Sequence, residues 1–264
     1  MFFTSDFLIS FIALFLIIAV RYFAVAGLFY WLLWGRDEKH VAARRLARRD
    51  PERGIIRHEI AWSMVSSLIY AFPGAVVIEA WKAGGTALYT DLSAYGLWYL
   101  PVSILIYLFL HDTFFYWTHR LMHHPRLFGP MHKTHHMSNN PTAWAAFAFH
   151  PWESLMTAAF LPALVFFIPL HVGAMLAVLM IMTIASVLNH AGWEIFPDSW
   201  IRGLLGRHII SATHHNLHHT NYRVNYGLYF RFWDKVMGTD VMESAYPHLR
   251  PEDRAEEPAP VPKN

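Results

Sequence analysis

Residues 111–136 read H-D-T-F-F-Y-W-T-H-R-L-M-H-H-P-R-L-F-G-P-M-H-K-T-H-H, and residues 213–219 answer with T-H-H-N-L-H-H. Of the 18 histidines, all but His40, His58 and His248 fall between His111 and His219, so they form a cluster rather than a scatter. Neutral imidazole is the commonest metal-binding side chain. Here it recurs at helical spacing: His119 and His123 are four apart, and His132, His135 and His136 fall three and four apart. His215, His218 and His219 repeat that second pattern. Residues so spaced share one helix face, with Cβ atoms about 5–6 Å apart, close enough to share a metal.

Outward from this stretch the chain is apolar. It is 55% hydrophobic and 15% charged, where soluble domains carry about 25% charged residues. Its 20 Phe, 12 Tyr and 11 Trp suit a membrane protein with interfacial aromatic belts. The absence of cysteine excludes disulfides and thiolate ligands, leaving nitrogen and oxygen to hold any metal. The basic residues cluster beside apolar spans, which explains them without nucleic acid.

Residues 7–34 are almost continuously apolar, broken by Arg21. The A-V-A at 24–26 resembles a signal cleavage site, but Met1–Asp6 lacks basic charge and the apolar run continues past it. We read an uncleaved membrane helix in which Arg21 faces other helices or snorkels. Residues 35–58 hold eight Lys or Arg, which marks a cytoplasmic loop. Further spans are expected over 60–81, kinked at Pro73-Gly74, and over about 98–118, with the base-free loop 83–97 on the opposite side. Residues 154–168 and 173–189, joined at Pro169, form a hairpin. Each arm is short against the roughly 20 residues a crossing needs. Residues 199–210 read as an interfacial amphipathic helix. The polar tail 248–264 reads as disordered, leaving 1–247 as one membrane-embedded domain with its core at 55–240. The fold class is an all-α integral membrane protein of four to five membrane helices, with a histidine-rich di-metal site. Charge bias puts all three boxes on the cytoplasmic face, in a bacterial inner membrane. The N-terminus would lie outside.

The ordered boxes, H-R-L-M-H (119–123), H-K-T-H-H (132–136) and H-N-L-H-H (215–219), resemble those of the fatty acid hydroxylase / sterol desaturase superfamily of membrane di-iron oxygenases. Flanking matches are Asp112 and Tyr116, A-F-H-P-W-E (148–153), N-H-A-G-W-E (189–194), N-Y-G (225–227), W-D (233–234) and G-T (238–239). The resemblance covers about residues 55–240. Through A-F-H-P-x-E it is nearest to sterol C-5 desaturase-like proteins and their bacterial relatives. It implies two iron ions and O2 as co-substrate, with attack on an unactivated C–H bond of a sterol-like or fatty-acyl lipid that ends in hydroxylation or desaturation.

The metal ligands expected are His119, His123, His132, His135, His136, His215, His218 and His219, with His190 completing the site as the corresponding family histidine often does. Supporting or structural roles fall to His111, Asp112, His124, His150, Glu153 and Glu194, with His214 outside the ligand set. Asp112, seven residues before His119, could accept an imidazole N–H, and Glu194, four after His190, could support that ring. Lone histidines such as His40, His58, His171, His208 and His248 read as ordinary hydrogen-bonded residues. The aromatics of 144–149 could line a lipid entrance or anchor the interface.

Two other readings compete: a two-zinc membrane hydrolase or lyase, and a non-catalytic metal transporter or sensor. The boxes contain no carboxylate to serve as a general base, and transporters hold their ligands near the bilayer midplane. Oxidising a C–H bond with O2 needs two external electrons. The chain has neither cysteine for an iron–sulfur cluster nor a Gly-rich βαβ stretch for a flavin or nicotinamide, so the donor is a separate ferredoxin, cytochrome or reductase. It could dock on the basic loop 35–58 or on the surface around Lys133, Arg223 and Arg231.

Overall fold

Helices α1 (Ser5–Trp34) and α2 (Arg53–Lys82) pack on each other as a pair of 30-residue rods. The structure is a computed structural model describing residues 4–35, 44–47 and 49–241. At 1.5 Å per residue each rod is about 45 Å long, more than a ~30 Å hydrocarbon core requires. Thr4 caps α1 by accepting the Phe7 N–H, and Asp6 lies in its positive first turn. Of α1 only Phe7, Ser10, Tyr22 and Ala26 are buried, so most of this apolar helix faces lipid.

α3 (Tyr99–Met122) and α7 (Val172–His190) complete the set of four helices long and apolar enough to cross a membrane. Between them lies α6 (Pro151–Leu164), begun by a proline at its first turn and by His150, whose Nδ1 accepts the Trp152 N–H. Its 14 residues span only about 21 Å. The hairpin still reaches the far end. β1 (Leu88–Tyr89), in the loop after α2, pairs in parallel with β2 (Leu170–His171), in the α6–α7 turn.

The chain after the second box is irregular and buried. Ala143–Phe147, capped by Thr142, runs as a 3-10 turn among α1, α2 and α7, where every backbone carbonyl needs a partner. Polar side chains of the membrane helices supply them. The Trp144 carbonyl accepts Tyr22 Oη–H (2.7 Å) and Ser63 Oγ–H (3.1 Å). The Ala146 carbonyl accepts Ser186 Oγ–H (2.7 Å), and buried Glu59 takes the Thr142 hydroxyl (2.5 Å). Polar side chains of α1, α2 and α7 together thus allow a non-helical segment at this depth.

Three expectations need correction. α2 begins at Arg53, seven residues before the expected span, so Glu59 lies inside the helix, which continues through Pro73. The amphipathic helix expected over 199–210 is only α8 (Asp198–Arg202). Gly206 N–H returns to the Trp200 carbonyl (2.9 Å) in a turn so close that a Cβ on Gly206 would overlap the Ile201 carbonyl. Trp200, Leu204 and Leu205 do stay exposed. Arg231, expected on a docking surface, is 4% exposed and forked onto Asp240 at 2.7–3.1 Å. Residues 36–43 and 48 of the basic loop, and the tail 248–264, lie outside the described residues.

Candidate metal centre

The boxes meet at one end of the bundle. His119 occupies the last turn of α3 and His123 caps it. The chain then turns through α4 (Pro125–Leu127) and a π-turn (Phe128–His132) into α5 (Lys133–His136), which turns His132, His135 and His136 inward. α9 (Ala212–Thr220) presents His215, His218 and His219, and His190 ends α7.

Nine rings form two groups. His119, His123, His132, His136 and His218 bring one nitrogen each within 4.8 Å of one another; His135, His190, His215 and His219 do the same. In the first, His119 Nε2 lies 3.0 Å from His132 Nε2, and His136 Nε2 lies 3.2 Å from those of His123 and His218. In the second, His190 Nε2 lies 2.8 Å from His215 Nε2 and 3.1 Å from His135 Nε2.

The outer nitrogens decide what these distances mean. His119 Nδ1–H donates to the Tyr226 carbonyl (2.8 Å), His218 Nδ1–H to Val224 (2.8 Å) and His190 Nδ1–H to Ser186 (2.7 Å). His132 Nδ1 meets Glu153 Oε1 at 2.8 Å. A carbonyl only accepts, so the proton sits on Nδ1 and a neutral ring is left with a bare Nε2 lone pair. Bare nitrogens about 3 Å apart repel unless a cation lies between them. Burial, and after it the neighbouring imidazoles, hold His132, His136, His215, His218 and His219 well below the usual histidine pKa, so the rings stay neutral. The donor set therefore fits metal: neutral, buried, all nitrogen, and aimed inward.

The other expected residues serve the framework. Asp112 does not reach His119, because its Oδ1 accepts the backbone N–H groups of Leu228 (3.0 Å) and Tyr229 (2.7 Å). Glu194 does not reach His190. Its Oε2 accepts from Thr213 N–H (3.1 Å) and Oγ1–H (2.7 Å), which fixes the start of α9. His111 Nδ1 lies against the Tyr229 hydroxyl (3.1 Å), His150 caps α6, and exposed His124 accepts the Arg126 N–H. His214 Nδ1 accepts the Ser211 N–H (3.1 Å) and joins neither group; burial, with Arg231 and Lys235 nearby, pushes its pKa down to about 3. Glu153 alone of the expected carboxylates touches a clustered ring.

The N-Y-G motif (225–227) lies in the loop after α9, and its geometry gives the motif a purpose. Asn225 adopts φ 54°, a left-handed conformation that asparagine tolerates, and its Nδ2–H holds the His214 carbonyl (3.1 Å). Buried Asp234 accepts from Tyr226 N–H and Gly227 N–H, both at 2.9 Å. This knot aims the Val224 and Tyr226 carbonyls at His218 and His119. Sequence reading passed over Glu59, a carboxylate inside an apolar helix, which by itself is a signal.

Fold and centre together define a membrane-embedded protein whose buried histidine clusters could hold metal. The fatty acid hydroxylase family model matches residues 104–239, from mid-α3 past the loop knot, and the chain belongs to that family. A Delta(7)-sterol 5(6)-desaturase of Gibberella zeae is 34% identical over 59% of this chain and 47% of its own length. Human lathosterol oxidase is 35% identical over 59% and 51%. A Delta(7)-sterol 5(6)-desaturase of Schizosaccharomyces pombe is 29% identical over 89% of this chain and 66% of its own. The chain spans about half the length of the first two. No solved structure matches.

Proposed function

We propose that the protein is an O2-dependent di-iron lipid oxidoreductase that hydroxylates or desaturates an unactivated C–H bond. The observation that carries the reading is the pair of all-nitrogen groups with their lone pairs turned inward by backbone carbonyls. His119, His123, His132, His136 and His218 would hold one iron, and His135, His190, His215 and His219 the other. When bound, iron supplies the reduction of O2 and the removal of hydrogen from carbon. The chain's own residues hold the rings neutral, fix their tautomers and exclude water. Glu153, 1% exposed, does so for His132 by pairing with its Nδ1 at 2.8 Å.

The lipid is sterol-like or fatty-acyl, the former favoured by the relatives. Both groups stand at the ends of α3 and α7 rather than at mid-helix, which speaks against a transporter's midplane site. We place that end on the cytoplasmic face of the membrane, since basic residues gather beside α2's first turn. Comparing lipid extracts of deletion and overexpressing cells by mass spectrometry tests the reading. Gain of one oxygen means hydroxylation and loss of two hydrogens desaturation. Unchanged lipids, with zinc in anaerobically purified protein, would favour hydrolysis instead.

A further inference from the structure

The four-histidine group is the deeper of the two: none of its rings exceeds 2% exposure, whereas His123 of the other group is half-buried. Yet the Nδ1 atoms of His215 and His219 have no partner, so what fixes these rings has to come from the backbone that carries them. One short segment ties that backbone down. Residues 191–195 leave α7 directly after His190. Within them Glu194 takes the Thr213 N–H and hydroxyl at the start of α9, the helix of His215 and His219. The segment therefore sets the ends of two ligand-bearing helices.

Residues 44–47 clasp this segment from outside. Leu46 and Ala47 N–H both donate to the Gly192 carbonyl (3.0 and 2.9 Å), and Glu194 N–H donates to the Arg44 carbonyl (2.9 Å). Trp34, the last residue of α1, donates its Nε1–H to the Ala191 carbonyl (3.1 Å). Gly192 has no room for a side chain. Its φ is 75°, and a Cβ there would lie 3.0 Å from the Trp34 ring, 3.2 Å from Ala47 and 3.3 Å from the Pro141 carbonyl, just past the second box.

Arg45 closes the clasp. Its guanidinium lies 4.9 Å from the Trp34 ring centre and 5.8 Å from that of Trp193, and the two indoles meet edge-on at 5.4 Å. Its Nε–H donates to the Ala47 carbonyl (3.0 Å), and Nη2 pairs with Asp50 at 2.6 Å. A planar guanidinium packs on aromatic faces in a way that a compact ammonium matches only in part. The family model begins at residue 104, so this clasp lies outside the matched span.

We propose that Arg45 is a positioning residue for the four-histidine group. Held on Trp34 and Trp193, it presses residues 44–47 onto 191–195, and so sets His190 directly and His215 and His219 through Glu194. The inference rests on the two-metal reading above and assigns one metal a brace built from the first membrane helix.

The test uses the full chain in nanodiscs. In metal-free protein, Arg45→Met should raise amide hydrogen exchange across 191–195 and the first turn of α9 while leaving the first box, 119–123, unchanged. After anaerobic loading with iron, the same variant should weaken one of the two metal equivalents by roughly 10-fold against a competing chelator. It should also shift one Mössbauer environment, the one that His190→Ala removes. Arg45→Lys, which keeps a cation on the indoles, should recover part of the loss. Trp34→Phe, which lacks the bond to Ala191, should show a smaller loss at the same metal. A general loss of stability would move both environments. Equal change at both metals would overturn the proposal, and so would unaltered exchange and affinity in Arg45→Met. If exchange responds as stated but the wild-type chain takes up no iron, or oxidises no lipid with O2 and reductant, the positioning of the rings stands and the oxidoreductase reading falls.

Discussion

The two histidine groups use the same ring but support it differently. In the five-histidine group three rings have their outer nitrogen held, two by the Tyr226 and Val224 carbonyls and one by Glu153. In the four-histidine group the Ser186 carbonyl holds His190, while the Nδ1 atoms of His215 and His219 are buried without a partner, as is that of His136 in the five-histidine group. Held rings make a preformed site; unheld rings adjust, and fewer protein ligands leave more positions open. The difference suggests a division of labour, with the well-braced group near the surface and the more open one in the dry interior.

Removing a ring should have the largest effect. His218→Ala, in the braced group, and His135→Ala, in the open group, should each abolish lipid oxidation and lower bound metal, with membrane insertion intact because the spans carry insertion. Metal content and membrane fractionation check this. Full activity in either variant would end the ligand assignment. Next comes Glu153→Ala, which should weaken metal binding by roughly 10–100-fold, the usual cost of losing a partner to a ligating ring. Titration with a competing chelator should show the loss in one of two metal equivalents. Equal weakening of both would break the contrast between the groups.

The rings were legible in the sequence because helical spacing is a property of residue identity and position alone. So were the membrane spans and, through Glu153, one brace. The other braces were not legible, because they are backbone carbonyls of Val224, Tyr226 and Ser186, which carry no mark in the sequence. Asp112 shows the cost. Seven residues from His119 it was expected on the ring's face, but the 228–230 backbone occupies that face and claims the carboxylate. Glu194 was misjudged similarly, since it lies beyond the end of α7, and closeness to His190 in sequence says nothing of α9 packing beside it. The amphipathic pattern of 199–210 was read as helix because its apolar surface is real, while the glycine turn at 203–206 breaks the backbone beneath it.

A smaller effect concerns pH. His214 lies outside both groups, and its pKa falls from the ordinary 6.5 to about 3 on folding. A base with a depressed folded pKa contributes stability above the unfolded value. As pH falls from about 6.5 toward 3, the unfolded chain takes up a proton that the folded one resists. Metal-free protein should therefore unfold at lower temperature as pH drops from 7 toward 4, and His214→Gln should flatten that slope. An unchanged slope would show that His214 keeps its ordinary pKa. Smallest is Ser63→Ala, worth about 1 kcal/mol of stability, because the Trp144 carbonyl keeps its bond from Tyr22. Metal binding should be unaffected in calorimetry of the loaded chain.

The central claim is that nine histidines make two separate metal sites of unequal support. Elemental and Mössbauer measurements on anaerobically purified, iron-loaded protein test it most directly. The account predicts two irons per chain in two distinct environments, one for each group. It also predicts that His190→Ala removes one environment and His123→Ala the other. A single iron, a closed zinc site, or two environments that disappear together in both variants would contradict it.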